Sequence, residues 1–471
     1  MAPSESQETY SQALLQAILR QDLASFIAKT FTTIDASQPF LPNWHVELLA
    51  DRLARAYRGE IKRLVITMPP RNLKSICASV GFVAWALGHN PSLKFITASY
   101  SSDLALKHAR DCRTVMQTQW YGDTFATSRL NPKRLSEDDF ETTAGGGRLS
   151  TSVGGTLTGR GGDFIIIDDP IKPQDALSAV VRVKAQDWLS GTVGSRLNNK
   201  NEGVIILIMQ RLHVDDPVAH VLEKGGWVHL NLPAIAEENE SFLLSDGTRL
   251  TRRKGDVLHP ARESREALER EKSAMGSFWF SAQYQQNPVA AEGNLFRVGW
   301  FKKYSHIPLP DYTTQIVQSW DTALTDSAGS DYSVGTTWVT HECEAFLVDV
   351  CRAKLQAPDL KRKIVDYQRQ FRAGTVLIED SPASQGLIQQ LIYEKELRPI
   401  AIKPLGDKAQ RAGSVSAMIE AGRAKFPVQA PWLDDFMAEV LAFPASRHDD
   451  QVDSMTQFLN WFAPKVPIFF G

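Results

Sequence analysis

Long apolar runs are missing from this sequence. No stretch approaches the ~18 consecutive apolar residues of a membrane-crossing helix, and the polar segment Met1 to Gln21 has no apolar leader core. A cytosolic protein with no membrane association is expected. Cysteine is scarce as well: Cys77, Cys112, Cys343 and Cys351 are widely scattered and form no CxxC pair. That excludes a zinc framework or a disulfide scaffold and leaves reduced, mostly buried thiols. Neither sign of charge dominates, because 52 basic and 54 acidic residues give a net charge of -2. Any contact with nucleic acid must therefore come from local basic patches. Internal repeats and low-complexity tracts are absent.

The chain does contain the material of two globular cores. It has 471 residues, 43% of them hydrophobic and 23% charged, which is too long for one ordinary core. From Leu64 to Met209, short β-branched runs (Leu64 to Met68, Lys94 to Ala98, Phe164 to Ile167, Val204 to Met209) alternate with helical stretches. Nearly continuous apolar strands of this kind are buried on both faces, as in a parallel sheet covered by helices. After Pro310 the order changes. Ile316 to Trp320, Ser333 to Val339 and Ala345 to Val350 read as three consecutive strands. A helix (Pro358 to Arg372), a strand (Val376 to Ile378), a helix (Gln385 to Glu394), a strand (Pro399 to Ile402) and further helices to Phe462 follow. The series is that of an RNase H-like fold. The expected class is α/β, a P-loop NTPase followed by an RNase H-like nuclease domain. Its divisions are a helical segment 1–60, an ATPase core 61–225, a subdomain and linker 226–310, and a nuclease domain 311–471.

Pro69-Pro70-Arg71-Asn72-Leu73-Lys74-Ser75 follows a strand and precedes a helix. There, backbone N–H groups and a helix N-terminus cradle phosphates, the lysine bridges the terminal ones and the hydroxyl ligates magnesium. Leu73 occupies the usual glycine position. Asp168-Asp169 ends an apolar strand in the manner of a Walker B segment. Asp168 would hold magnesium through water, while Asp169 would polarise the attacking water or serve as an outer metal group. Gln210-Arg211 ends a further strand and is placed to sense the γ-phosphate. Trp44 and His45 open an amphipathic helix, where they either flank adenine or simply pack. The glycines around Arg148 and Arg160 suggest a mobile loop that carries one of these arginines, preferentially Arg160, to a neighbouring subunit's ATP. The other reading of that loop is a flexible hairpin with solvated arginines.

Three acidic clusters lie in the second half: Asp321, Glu379 with Asp380, and Asp449, Asp450 with Asp453. The first two end predicted strands, and the last begins a helix on which Asp453 shares a face with both Asp449 and Asp450. Like charges so placed repel unless cations neutralise them. Two magnesium or manganese ions, bound by carboxylates for phosphodiester hydrolysis, account for the pattern. Either Glu379 or Asp380 faces inward, with Glu379 ranked first. Asp326 and Asp331 read as turn formers, and Lys403 as a group that reaches the scissile phosphate.

The ordered motifs resemble the large subunit of tailed-bacteriophage terminases, from about Pro42 to Phe462. The carriers are the segment 69–75, Gly159-Arg160-Gly161-Gly162-Asp163 leading into Ile165-Ile166-Ile167-Asp168-Asp169-Pro170, and Gln210-Arg211-Leu212-His213 with Asp215-Asp216. Gln283-Tyr284-Gln285-Gln286-Asn287-Pro288, Trp320-Asp321 and His448-Asp449-Asp450-Gln451-Val452-Asp453 complete them. The resemblance implies ATP and magnesium at Lys74 and Ser75, with Asp168 and Asp169 in Walker B and catalytic roles and Gln210 coupling hydrolysis to motion. Members more often carry threonine or serine at the coupling position and glycine before the lysine; Arg71 would compensate as a phosphate contact. It further implies translocation of viral double-stranded DNA into a procapsid and endonucleolytic cutting of concatemers in the host cytoplasm. The implied partners are a small terminase subunit, the portal protein and further copies in a homo-oligomeric ring. Two rivals are a helicase-like ATPase fused to a repair nuclease and a DNA-binding assembly component with an inactive nucleotide site.

Overall fold

The structure, a computed structural model, describes residues 5–155, 157, 159–288, 295–322, 332–382, 384–395, 397–444 and 448–463, with side chains from residue 11 onward. Asp326 and Asp331 lie outside the described residues. The chain divides into two compact units, one of residues 1–270 and 279–289, the other of 271–278 and 290–471.

In the first unit, the strands are β1 (Arg63–Thr67), β2 (Lys94–Ser99), β3 (Leu130–Leu135), β4 (Asp139–Thr142), β5 (Gly147–Ser152), β6 (Phe164–Asp168), β7 (Val204–Met209) and β8 (Val228–Asn231). They form one sheet in the order β3-β4-β5-β2-β6-β7-β1-β8, parallel except for the antiparallel pairings of β3 with β4 and β4 with β5. Alternation along the strands feeds two cores. Leu64, Ile66, Ile206 and Ile208 enter one apolar cluster, while Val65, Ile205 and Leu207 enter the cluster on the other face, as the two-residue period of a strand requires. The segments after β1, β6 and β7 emerge side by side at the carboxyl edge, since β7 lies between the other two.

Two sequence expectations need correction. Residues 145–152 are not a mobile loop: Gly145 and Gly146 make a turn, and β5 pairs in parallel with β2 along its length. Its sequence, GRLSTS, hides a buried strand because its arginine and hydroxyls find partners inside. The sheet also runs past residue 225, since β8 pairs with β1; its half-exposed VHLN pattern gives no apolar run. Beyond it, β9 (Glu240–Leu243) and β10 (Arg249–Arg252) form a hairpin. The helix Arg265–Gln283 is interrupted at Gly276, whose φ of 82° favours glycine and whose added Cβ would lie 3.1 Å from Ala417.

In the second unit, β11 (Lys302–Tyr304), β12 (Gln315–Asp321), β13 (Ser333–His341), β14 (Glu344–Ala353), β15 (Thr375–Glu379), β16 (Ile400–Ile402) and β17 (Ala424–Pro427) form a sheet in the order β11-β17-β14-β13-β12-β15-β16. The consecutive strands β12, β13 and β14 are antiparallel, whereas β15 and β16 add in parallel beside β12. This is the expected RNase H-like order, extended past β14 by the short strands β17 and β11. No described helix is long and apolar enough to cross a membrane.

The two faces of this sheet have different chemistry. Trp320, Cys351 and Ile378 join the apolar cluster formed with the helices Ala357–Phe371 and Gln385–Tyr393. On the other face Ser319 and Ser454 exchange hydroxyl-to-carbonyl hydrogen bonds of 2.9 and 2.7 Å, and Thr336 and Gln457 extend the set. Small polar residues thus bring the helix Asp450–Phe462 close to β12. Opposite, the indole of Trp320 lies over Gly335, where an added Cβ would meet the ring at 2.7 Å. Gly335→Ala is expected to destabilise this unit by about 1–3 kcal/mol through overpacking, seen as a lowered thermal midpoint; an unchanged midpoint contradicts this packing.

Candidate nucleotide and metal sites

The loop after β1 takes a phosphate-cradling path without glycine. Arg71 and Leu73 adopt φ of 62° and 65°, a left-handed conformation that costs a side-chain-bearing residue of order 1–3 kcal/mol. Surrounding contacts hold it. Leu73 packs against the larger apolar cluster, the buried His45 ring lies 3.3 Å from the Asn72 carbonyl, and the Asn72 amide donates to Pro70 O and Glu263 at 3.0 and 3.3 Å. Asn72 is therefore committed to the loop's own framework. Trp44 stacks on Phe242 at 5.9 Å, with Arg252 5.8 Å from its ring centre, so it packs against the β9–β10 hairpin. Arg71 is exposed.

At the end of β6, Asp168 accepts from Ser75 at 3.0 Å and from Ser79 at 2.7 Å, and the imidazole of His108 approaches to 3.5 Å. Asp169, at φ 44°, bonds Lys74 at 2.9 Å and accepts from the Gln210 N–H at 3.3 Å. Burial pushes both carboxyls up, and Lys74 pulls them back. Burial, aided by Arg148 and Lys107, lowers the His108 pKa to about 3, so His108 is neutral. Arg148 is fully buried, donating to Ser79 O and to Ser150. Arg160 is exposed and paired with Asp139, and it alone of the two arginines reaches the surface.

The Gln210 side-chain oxygen is buried and has no partner among the described residues. Its neighbour Arg211 donates its N–H to Gln286 at 2.9 Å and its guanidinium to Asp216 at 2.8 Å. Gln285 meanwhile pairs with both backbone groups of Ile235. These bonds explain the glutamines of the segment 283–288. Ser79 and His108 escaped the sequence reading; the signal for Ser79 is its place one helical turn after Ser75.

In the second unit, Asp321 ends β12 and Glu379 ends the adjacent parallel strand, where Trp320 pairs with Ile378. Asp321 and Glu379 thus share a face. Asp380 has the opposite parity and accepts from Gln385 at 3.2 Å. Asp450 and Asp453 are buried in the first turn of the helix Asp450–Phe462, and Asp449 precedes it. Burial, with the charges of Asp453, Glu379 and Asp450, raises the Asp321 pKa well above the carboxylate range. Burial also raises Glu379, against Arg411. Two cations unforeseen from the sequence enter from the helix Lys408–Glu420: Lys408 bonds Asp449 at 2.6 Å and Asp453 at 2.7 Å, and Arg411 bonds Asp453 at 2.7 Å. Despite burial, the two carboxylate bonds hold the Lys408 pKa above its usual value. Lys403 is exposed.

The donor set is all oxygen and rich in carboxylates that raise one another's pKa, which fits a hard divalent cation. Among the described residues no three acidic, histidine or cysteine groups are already at metal-holding geometry. Part of the negative charge rests instead on Lys408 and Arg411. A cation that binds here competes with Lys408 for Asp453.

Residues 318–461 match the family model of the terminase RNase H-like domain, so the second unit carries a domain of that family. The chain as a whole has the fold of a large terminase from a thermophilic bacteriophage, with a TM-score of 0.51 at 11% identity over 87% of this chain and 98% of that one. The large terminase of bacteriophage HK97 also aligns (TM-score 0.37, 10% identity, 94% and 99% of the two chains). So does the large terminase nuclease of the thermophilic phage G20c with bound magnesium (TM-score 0.28, 11% identity, 34% and 93%). No curated protein sequence matches.

Neutralising one acid should relieve the pocket. Asp321→Asn is expected to raise the thermal midpoint of metal-free protein and to shrink the further rise on adding Mg2+ or Mn2+. Two unchanged values would show that these charges do not confront one another.

Proposed function

We propose that this chain is the large subunit of a phage terminase, which uses ATP to move double-stranded viral DNA into a procapsid and cuts concatemers at the start and end of packaging. The observation that carries this reading is the joining, in one chain, of a phosphate-loop and double-aspartate sheet edge to a terminase RNase H-like domain with converging acids.

At the first site, Lys74 and the loop N–H groups would bind the terminal phosphates of ATP, with Arg71 as an outer contact. Ser75 and Asp168, already hydrogen-bonded, would hold the magnesium. Phosphate would draw Lys74 away from Asp169, freeing that carboxylate to orient the attacking water. Gln210, bonded through its N–H to Asp169 and carrying a buried unpaired oxygen, would report the state of the phosphate to the Arg211–Gln286 contact. Arg160 would complete a neighbour's site within a ring.

At the second site, Asp321, Glu379, Asp450 and Asp453 would hold two divalent ions, with Asp449 beside them and Asp380 as an outer group. Bound magnesium or manganese supplies a nucleophilic water and stabilisation of the leaving oxygen. Asp321 and Glu379 orient these events from rigid strand ends, and Lys408 and Arg411 neutralise the acids between cycles. Docking on the portal in the host cytoplasm and recruitment of DNA by a small subunit belong to this proposal.

The two chemistries should separate cleanly. Lys74→Ala is expected to lower DNA-stimulated ATP turnover by about 10²-fold or more while magnesium-dependent plasmid cleavage persists. Asp321→Ala or Asp450→Ala should do the reverse. Equal, negligible ATPase rates in wild type and Lys74→Ala would instead favour an inactive nucleotide site, and strand separation in an unwinding assay would favour a helicase.

A further inference from the structure

Beside the acids lies a group of residues that the cutting chemistry leaves unused. The strand register places Asp321 opposite Val334, and Val334 opposite Arg352. Directly opposed residues of antiparallel strands project from the same face, so Arg352 stands in the same row as Asp321, two strands away. At the usual strand spacing that is ~10 Å, about three nucleotide steps along one DNA strand at 3.4 Å per step. Lys354 follows two residues later, just past the strand end.

The two cations share one aromatic ring. The Arg352 guanidinium lies 4.1 Å, and the Lys354 ammonium 4.9 Å, from the ring centre of Tyr332. His448 meets that ring edge-on at 5.6 Å. Compensating negative charge is thin. Arg352 reaches Glu439 at 3.4 Å, but that carboxylate spends its shorter bonds, both 2.7 Å, on the backbone and side chain of Gln451. The Arg352 Nε is buried and has no partner among the described residues. Lys354 is exposed and has no acidic partner among them. Glu439, through Gln451, also ties this corner to the helix turn that bears Asp450 and Asp453.

We infer that Arg352 and Lys354, braced on Tyr332, form a phosphate-binding platform that holds the DNA backbone alongside the acidic pocket. The inference rests on the nuclease reading and deepens it. Acids alone repel a polyanion; a cationic ledge in the same row, on the same face, offsets that repulsion and fixes how far the strand lies from the cutting site. The contact is with phosphate and therefore independent of base sequence.

The test measures binding of a fluorescein-labelled 30-base-pair duplex to the full chain by anisotropy, in EDTA to prevent cleavage, across a range of NaCl concentrations. Each lost phosphate contact reduces the steepness of log K against log salt by about 0.9. Lys354→Gln, an exposed change that leaves packing intact, is expected to remove about one such unit, and Arg352→Gln with Lys354→Gln about two. Arg352→Lys should retain the slope of wild type. In magnesium, Lys354→Gln should raise KM for plasmid cleavage by more than it lowers kcat. A wild-type slope and KM in Lys354→Gln, in protein that cleaves DNA, overturns the platform while leaving the nuclease reading standing. Failure of wild type to cleave DNA in magnesium removes the nuclease reading and the platform with it.

Discussion

Carboxylates confined to one end of a sheet raise one another's proton affinity, and the second unit is arranged around tolerating that cost. Asp321 and Glu379 cannot separate, because adjacent parallel strands fix their register. Asp450 and Asp453 cannot retreat either, since the reciprocal Ser319–Ser454 bonds hold their helix against β12. The remedy is positive charge from a third element, with Lys408 and Arg411 one helical turn apart on the helix Lys408–Glu420. Rigid acids and longer, more adaptable cations divide the work: the strands set where a divalent ion binds, and the lysine and arginine preserve the pocket when none is there.

The first unit solves a related problem in the same way. Asp168 and Asp169 are consecutive and buried, and each needs its own compensation. Two serine hydroxyls supply it for Asp168, and Lys74 supplies it for Asp169. In both units a lysine rests on a carboxylate that the proposed chemistry requires. Ligand arrival therefore exchanges one cation for another and avoids creating a bare buried charge, which would be far costlier.

Local pattern made much of this legible. The apolar runs Phe164 to Ile167 and Val204 to Met209 announced central parallel strands, and the three-strand start of the second unit announced its topology, because burial on both faces and two-residue alternation are properties of neighbouring residues. Strand β5 was not legible: a buried arginine that reaches Ser79 O and Ser150 reads as polar in sequence and is satisfied only by partners far along the chain. The short strands β8, β11 and β17 were lost for the related reason that edge strands carry little apolar signal. At the sites, the acids announced themselves by ending strands and opening a helix. Their cations did not, since nothing within the segment 403–411 indicates which carboxylates Lys408 and Arg411 will meet.

The phosphate loop shows how a departure from pattern is absorbed by its surroundings. A glycine at position 73 would reach the left-handed conformation without strain but would contribute nothing to the core. Leucine carries the strain and returns apolar contact with the cluster beneath it. The neighbouring Asn72 is anchored on both sides, to Pro70 within the loop and to Glu263 beyond it, and His45 closes from below. A glycine loop is permissive and is shaped by the phosphate it binds, whereas this one is shaped in advance by packing. The consequence is a cradle whose geometry depends on the segment around Glu263 as much as on its own seven residues, so that displacement of that segment would reach the phosphate position directly.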